Sequence, residues 1–580
     1  MHFFQLLVNV CVLAGMPAGI NADKQPVIHP SVWRLLSQDG QPVKVWVFLA
    51  DKGCRSETEL RQAIAQVQTD YNARAVHRRR LRGTRGQHGG ELFSARDLLV
   101  ASSYVDAIAQ TGAAVCIQSR WLNAISVYAN AEQVLRLAEL DFVKRIQPVA
   151  QRPRFDPVEC PFSPHSSLGG DGRGDRDPFY GLSFDHLAQI NLVALHEQGF
   201  TGQGVVIGML DTGFARSHTA FTYPGHPIDV IAEWDFVAND ANAGYDPDDP
   251  VIPSPHGDVY QHAHGTIVLG TIAGYAPGEY VGGAYDASFV LAKTEDITDE
   301  YPAEEDLYVA GLEFIEMNGA DMASSSLGYH AWYDWFDMDG LTAVTTIAVN
   351  IATSNGVVCC TAAGNGGRDS DLPTLIAPGD AFDVVTCGAV NSAGVLADFS
   401  SGGPTYDGRV KPEVLAHGEI TPSVDPLDDL AYGTWDGTSM STPLVASAVA
   451  CVLQAHPTWT ITQIRANLFE TASDYVANGM PDPEFARGYG IVDALGASLD
   501  CNGNDIADLR ETIAGGDFDA DGDVDFDDFV ALTACLGGPD VAPTPPVPTC
   551  VGLYLDAFDA DADTDVDVRD FATFQQAVSE

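Results

Sequence analysis

Residues 435–453 read WDGTSMSTPLVASAVACVL. A turn-forming Asp-Gly leads into Thr438 and Ser439, and then into an unbroken run of apolar and small side chains, the pattern of a long buried helix. Ser439 thus stands at a helix start, where the dipole and the free N–H groups favour developing negative charge. Its hydroxyl is a candidate nucleophile, but a weak one. It needs a base to take its proton and a carboxylate to hold that base in the right tautomer. Two upstream segments carry those groups. VVIGMLDTG (205–213) is an apolar strand ending in Asp211, and HAHGTIVLGTIAG (262–274) opens a helix-like run with His264-Gly265-Thr266. His218 and His262 lie nearby, and on an extended segment His262 would share a face with His264.

Around these motifs, from about residue 185 to 498, short apolar strands alternate with helical stretches. VVIGML, ASFVLAKT, MASSSL, GVVCCTAA and DVVTCGAV are the strands; AEEDLYVAGLEFIEMNG and TPLVASAVACVLQAH are two of the helices. Such alternation predicts βαβ units, an α/β fold with a parallel sheet and helices on both faces. Cys359, Cys360, Cys387 and Cys451 fall in these apolar runs and read as small buried hydrophobes.

In chain order the three groups run Asp211, His264, Ser439, and residues 179–499 resemble a subtilase, a subtilisin-like serine peptidase of family S8. SSSLG (324–328), TAAGN (361–365), FSSGGP (399–404), KPEVLAHG (411–418) and above all GTSMSTPLVA (437–446) carry the resemblance. It implies a serine endopeptidase acting on polypeptides through an acyl-enzyme, with Asp211, His264 and Ser439 as the triad and Asn365 in the oxyanion hole. It also selects His264 over His262, because Gly265-Thr266 follows it. The pocket walls it implies are Ser326, Leu327 and Gly328 on one side and Ala362, Ala363 and Gly364 on the other. The sequence departs from the family's pattern at Ile267, Leu269 and His417. An acidic insertion, VANDANAGYDPDDP (237–250), reads as a solvated loop, with a calcium site at Asp240, Asp246, Asp248 and Asp249 as the alternative.

The chain has 580 residues, enough for three or four domains, and a formal charge of −50. Residues 23–154 carry 19 basic and 12 acidic side chains (+7), residues 155–499 carry 9 and 48 (−39), and residues 500–580 carry 2 and 20 (−18). So acidic a molecule repels phosphate backbones and anionic lipid, which argues against nucleic-acid partners. Residues 1–22, an apolar stretch ending in small residues and Ala22, read as an export signal and imply secretion; no apolar run after it is long enough to span a bilayer. Residues 23–152 pattern as β-α-β-β-α-β, a small α+β sandwich: strands at 43–50 and 143–150, helices at 59–81 and 131–140, two further strands between. Ahead of a subtilase, this unit resembles an inhibitor I9-type propeptide, which implies that the chain is made as an inactive precursor with its own propeptide as partner. The +7 block is complementary to the −39 block. Within it, RRRLRGTRGQHGG (78–90) reads as a solvated loop, with a processing site as the alternative. Residues 153–178, rich in Pro, Gly and Ser, are a linker.

The tail, 500–580, holds three acidic twelve-residue loops, read as a helical Ca²⁺-binding module. The middle one has Asp517, Asp519, Asp521, Gly522, Asp523, Val524 and Asp528, with oxygens at positions 1, 3 and 5, Gly at 6, an apolar residue at 8 and a carboxylate at 12. The last repeats it with Asp559, Asp561, Asp563, Asp565 and Asp570, but with Thr564 in place of the Gly. The first offers Asp500, Asn502, Asn504, Asp508 and Glu511, with Asp505 where Gly is expected. Each is followed by an apolar helical pattern, and Cys535 and Cys550 flank a proline-rich loop that a disulfide between them would close. The paired loops resemble a dockerin type I-like, EF-hand-related module, which implies Ca²⁺ and a cohesin-like or surface partner. Two rival classes differ in function: a secreted pseudopeptidase, and an attachment protein working through the calcium tail.

Overall fold

The computed structural model describes residues 26–578, apart from 40, 84–90, 150–176, 254–257, 299–303, 330–332, 369–371 and 514. The expected export signal and all but the last two residues of the expected linker lie outside the described residues. The chain divides into two compact units, residues 1–67 with 94–149, and residues 68–93 with 150–580.

The first unit is a five-stranded sheet in the order β1-β5-β2-β4-β3, built from β1 (Val27–Ile28), β2 (Val43–Leu49), β3 (Ala114–Ser119), β4 (Ala124–Ala129) and β5 (Val143–Pro148). β2 lies between two antiparallel partners, and its run VKVWVFL is buried almost throughout. Helices Pro30–Asp39, Ser102–Gln110 and Ala131–Ala138 belong to the same unit. Val32, Ile108, Val134 and Leu137 from them share one core with Val45, Val47, Ile125 and Ile146. The four expected strands and the helix at 131–140 are present, but the sheet gains β1 at one edge, and helices Pro30–Asp39 and Ser102–Gln110 are added.

In the second unit seven parallel strands stand in the order β12-β11-β10-β9-β6-β8-β7. They are β6 (Val206–Asp211), β7 (Asp229–Asp235), β8 (Ser288–Lys293), β9 (Met322–Ser325), β10 (Val358–Ala362), β11 (Val385–Val390) and β12 (Val414–His417). β6, β9, β10, β11 and β12 are buried along their whole length, as strands covered on both faces must be. The unit's helices include α1 (Ala73–Arg82), α2 (Ala263–Ala273), α3 (Glu305–Met317), α4 (Val344–Ser354), α5 (Thr438–Ala455) and α6 (Ile461–Glu470), of which α2 and α5 carry site residues. α5 is apolar and long enough to cross a membrane by composition, yet 83% of its apolar window is buried in the core.

The helix expected over 59–81 is two, Glu57–Asp70 and α1, because the Asn72 side chain accepts from Arg74 N and Ala75 N at 2.8 and 3.4 Å and caps a new start. The loop expected at 78–90 is, in its first part, the end of α1. Arg78, Arg79 and Arg82 are buried in the peptidase body rather than solvated. Arg78 and Arg79 both pair with Glu316, the latter at 2.9 Å, while Arg74 and Arg82 pair with Asp321. Those counter-charges lie more than 230 residues away, beyond any local reading.

The tail places α7 (Phe526–Cys535), α8 (Val551–Phe558) and α9 (Val568–Ala577) around a core of Phe518, Leu532, Tyr554, Phe558 and Phe574. Its disulfide joins Cys501 to Cys550, not Cys535 to Cys550; Cys535 is a buried free thiol. The first acidic loop folds back against α8, which brings Cys501 to Cys550 across a sequence separation of 49.

Candidate active site

Asp211 is the last residue of β6 and is fully buried. Its Oδ1 accepts from Thr212 N at 2.7 Å and meets His264 Nδ1 at 2.7 Å. His264 lies in the first turn of α2, 18% of its side chain exposed. The residue after it must be glycine, since a Cβ on Gly265 would stand 2.2 Å from Gly213 O. Thr266 completes the turn: its hydroxyl donates to His262 O at 2.7 Å and accepts from Ala215 N at 2.8 Å. Burial pulls the His264 imidazole down, but the charge and hydrogen bond of Asp211, with Glu295 beyond it, outweigh burial and hold it above its ordinary value. An imidazole so oriented presents Nε2 as a base and tolerates the positive charge it then acquires.

Ser439 stands at the second position of α5, and its Oγ donates to Ser326 O at 3.2 Å. The contact is reciprocal, for Ser326 Oγ donates to Ser439 O at 2.9 Å. The serine is therefore fixed against the segment that follows β9. Asn365 lies just beyond β10, and its Oδ1 accepts from both Thr438 N and Thr438 Oγ1 at 2.9 Å. That fixes the amide with its Nδ2 on the side of the helix start. Gly437, at φ +138°, keeps the space before it open, since a Cβ there would stand 3.4 Å from Asn365 Nδ2. Carboxylate, imidazole, hydroxyl and amide come from four different elements: Asp211 and Asn365 stand at or just past the C-terminal ends of parallel strands, where such sheets gather their sites, and His264 and Ser439 in the first turns of α2 and α5.

The expected pocket segments also come together. Ser326, Leu327 and Gly328 continue β9, and Ala362, Ala363 and Gly364 end β10, two strands paired in register. Ile376 lies against both glycines: a Cβ on Gly328 would meet its Cδ1 at 2.1 Å, and one on Gly364 would meet it at 3.1 Å. Gly364 also takes φ +109°, which a side chain would strain. Ile267 packs with Trp435 and Met440, and Leu269 enters the main core, so these departures are packing changes behind the imidazole. His417 is buried and accepts or donates at Thr421 Oγ1, 2.9 Å away, with burial pushing it down to about 4. His218 is tied to Ala431 O and Ala220 N, and His262 is buried at the foot of α2.

In the acidic insertion, Asp249 is committed to Lys293, whose buried ammonium sits 2.7 Å from it and 2.8 Å from Asp235. Asp240 and Asp246 instead accept from the N–H groups of Asn242 and Asp248. A lysine thus supplies a cation where calcium was the alternative reading, and the four aspartates do not gather round one point.

Three acidic or phenolic groups beside the site went unread in the sequence. Glu295 lies two residues past β8, Tyr329 directly follows Gly328, and Tyr329 OH donates to Glu295 Oε1 at 2.5 Å. Glu304, buried at the head of α3, bonds to Glu295 as well; burial, and then the Glu295 charge, hold its carboxyl far above the usual range, so it is the protonated donor of the pair. The position of Glu295 at a strand's C-terminal end was the signal that could have found it.

In the tail, the last carboxylate of the second and third loops closes each ring. Asp528 accepts from Phe518 N and Asp525 N at 2.6 and 2.8 Å, and Asp570 from Ala560 N and Asp567 N at 2.8 and 2.7 Å. Asp517, Asp519 and Asp521 converge within 4.8 Å of one another, as do Asp559, Asp561 and Asp570. Asp563 Oδ1 accepts from Asp565 N, and Asp565 Oδ2 from Asp540 N. Buried Asp517 Oδ1 and Asp565 Oδ1 have no hydrogen-bond partner among the described atoms. Burial raises the Asp519 carboxyl and neighbouring aspartates add to it, while at the exposed Asp523 the charge of Asp521 leads. Oxygen donors of this kind, crowded and partly unsatisfied, fit a hard divalent cation. The first loop departs from this plan. Asp508, not Glu511, accepts from the second residue of the loop, Cys501 N, at 2.8 Å, while Glu511 takes the amides of Asn502 and Asn504. It runs into a single 3-10 turn, Asp508–Arg510, rather than the expected helix.

This fold and this constellation define a subtilisin-type serine peptidase. Residues 202–490 match the subtilase family, and residues 44–157 match the peptidase S8 propeptide domain of Bacteroidota. Subtilisin E of Bacillus subtilis (strain 168) is 33% identical over 320 residues, which cover 55% of this chain and 71% of that protein. A subtilisin of Bacillus pumilus is also 33% identical, with 98% of its length covered. Among solved structures, fervidolysin from Fervidobacterium pennivorans, described as a keratinolytic enzyme related to subtilisin, shares the fold. It has a TM-score of 0.53 and 20% identity, and 84% of this chain covers 64% of that one. The chain belongs to the subtilase family, with an S8 propeptide domain at its front.

Proposed function

We propose that the protein is a secreted serine endopeptidase that works through an acyl-enzyme. In this reading Ser439 attacks the peptide carbonyl, His264 acts first as base and then as acid, Asp211 orients His264, and Asn365 Nδ2 donates to the oxyanion. The observation that carries it is the 2.7 Å Asp211–His264 pair, together with a serine at the start of α5, the helix that packs on α2, and an amide turned by Thr438. Ser326, Leu327, Gly328, Ala362, Ala363 and Gly364 would line the pocket. The domain at the front would act as inhibitor until cleavage between Val149 and Phe179 releases the enzyme. Labelling by a fluorophosphonate tests the nucleophile: the wild type should label and Ser439→Ala should not. Labelling that persists in the variant would overturn the assignment of Ser439, and a wild type that does not label would leave the pseudopeptidase reading standing.

For the tail we propose calcium-dependent ordering. Asp517, Asp519, Asp521, Asp523 and Asp528 would hold one ion, and Asp559, Asp561, Asp563, Asp565 and Asp570 a second. Asp500, Asn502, Asn504 and Asp508 offer a third donor set with Glu511 at its rim. Bound Ca²⁺ would neutralise the crowded carboxylates. The resulting module, dockerin-like in its paired loops, would serve to dock the enzyme on a cohesin-like or surface partner.

A further inference from the structure

We infer that Glu295 makes the enzyme prefer peptides with a lysine or arginine immediately before the residue whose carbonyl is attacked. This rests on the peptidase reading above and names the substrate class for the same site. A peptide lying along Ser326–Gly328 with its carbonyl at Ser439 turns successive side chains to opposite sides. The side chain of the attacked residue enters the pocket between Gly328 and Gly364. Its neighbour points the other way, across the cleft toward His264.

Glu295 stands on that side. Its backbone is held to the triad strands: Thr294 N donates to Asp211 O at 2.9 Å, and Gln261, three residues before His264, donates from Nε2 to Glu295 O at 2.5 Å and to Thr212 O at 2.7 Å. Its side chain reaches the far wall, where Tyr329, the residue after Gly328, donates to it. The carboxylate thus spans from the end of the strand that carries Asp211 to the end of the substrate segment. It stays partly exposed, while both its donors, Tyr329 and Glu304, are buried. It is close enough to His264 to act on the imidazole's charge. Two buried donors fix one carboxylate at the cleft wall, and among the described residues no cation pairs with it: Lys293, two residues away, is spent on Asp235 and Asp249. A substrate ammonium or guanidinium would complete the arrangement, whereas a substrate carboxylate would meet like charge.

The test uses the processed full-length enzyme and three peptides that differ only at the neighbour position, with Lys, Gln or Glu there. Active sites are counted by fluorophosphonate titration. The wild type should show kcat/KM for Lys about 10- to 100-fold above Glu at low salt, narrowing as salt is raised. Glu295→Gln should bring the two within a few fold, and Glu295→Arg should reverse their order. Equal rates on all three peptides in the wild type, or a Lys preference that survives in Glu295→Gln, would overturn the inference while leaving the peptidase reading intact. Absence of both labelling and cleavage of every peptide would instead overturn the peptidase reading, and this inference with it.

Discussion

The oxyanion role proposed for Asn365 depends on one rotamer. Because both acceptor contacts of Asn365 Oδ1 go to Thr438, the amide cannot flip without losing two 2.9 Å bonds, so its N–H faces the helix start before any substrate arrives. Asn365→Ala should therefore lower kcat by about 10²–10³-fold with the fold retained; a folded variant with unchanged turnover in a steady-state assay would remove Asn365 from the reaction. The imidazole sets a second expectation. His264 must be neutral to take a proton, and its pairing with Asp211 holds its folded value above 6.5 despite burial. The acid limb of the kcat/KM profile should then lie above pH 6.5. The stability that the pair contributes is fully present below 6.5 and fades as pH rises through the raised folded value. A limb at or below 6.5 would show that the pairing does not govern the titration. The places of Ser439, His264, Asp211 and Asn365 at element ends were legible in the sequence because each sits in a short motif whose neighbours have a fixed steric job, as Gly265 does under Gly213 O. Glu295 was not, since its meaning comes from Tyr329 and Glu304, which lie 34 and 9 positions on.

α1 shows how far an element can depart from its local reading. Six of its ten residues are arginine or histidine, and a run of that kind is normally solvated. Here Glu316, with no side-chain exposure, faces the buried guanidinium groups of Arg78 and Arg79, and Arg79 also lies over the rings of Phe93 and Tyr71 at 4.4 and 4.8 Å. Removing one partner of such a cluster leaves buried charge uncompensated, at about 3–5 kcal/mol. Glu316→Ala in the precursor should therefore free α1 from the peptidase body, read as loss of amide-exchange protection over residues 73–82 with β9 and β10 still protected. Unchanged protection would mean that apolar packing alone holds the helix. The strands and the long helix α5 were readable because burial on both sides makes their whole length apolar. Helix ends and the break at Asn72 depend on single caps, and the pairing of Cys501 with Cys550 depends on chain reversal over 49 positions, neither of which periodicity records.

At the scale of the molecule, the three charge blocks do not coincide with three independent bodies. Residues 68–93 pack with the peptidase although they precede the linker, and the first tail loop packs on α6. Trp459 Nε1 donates to Asp505 Oδ1 at 2.8 Å, Ala507 N to Asn467 Oδ1 at 3.1 Å, and Arg510 meets Glu470 at 2.8 Å. A chain ended after Leu499 should thus melt below one ended after Glu511, although both keep Ser439; equal melting temperatures would make that docking energetically idle. The rest of the tail should answer to calcium. With a net −18 over residues 500–580 and aspartates crowded within 4.8 Å, α7 and α9 dock against mutual repulsion unless a cation intervenes. An ion at about 100-fold over its Kd, bound only by the folded form, adds about 2.7 kcal/mol. The two complete loops should not respond equally. Gly522 takes its φ of +99° freely, whereas Thr564 holds +72° under strain, and Arg569 already brings a charge to 3.6 Å from Asp563 and 3.9 Å from Asp561. In the full-length chain, Ca²⁺ should therefore raise the melting temperature of the tail's transition in calorimetry, and chelator should reverse the rise. Asp517→Ala should abolish more of that rise than Asp559→Ala. A transition that ignores both Ca²⁺ and chelator would reduce the tail to an acidic surface held by its disulfide and its small core alone.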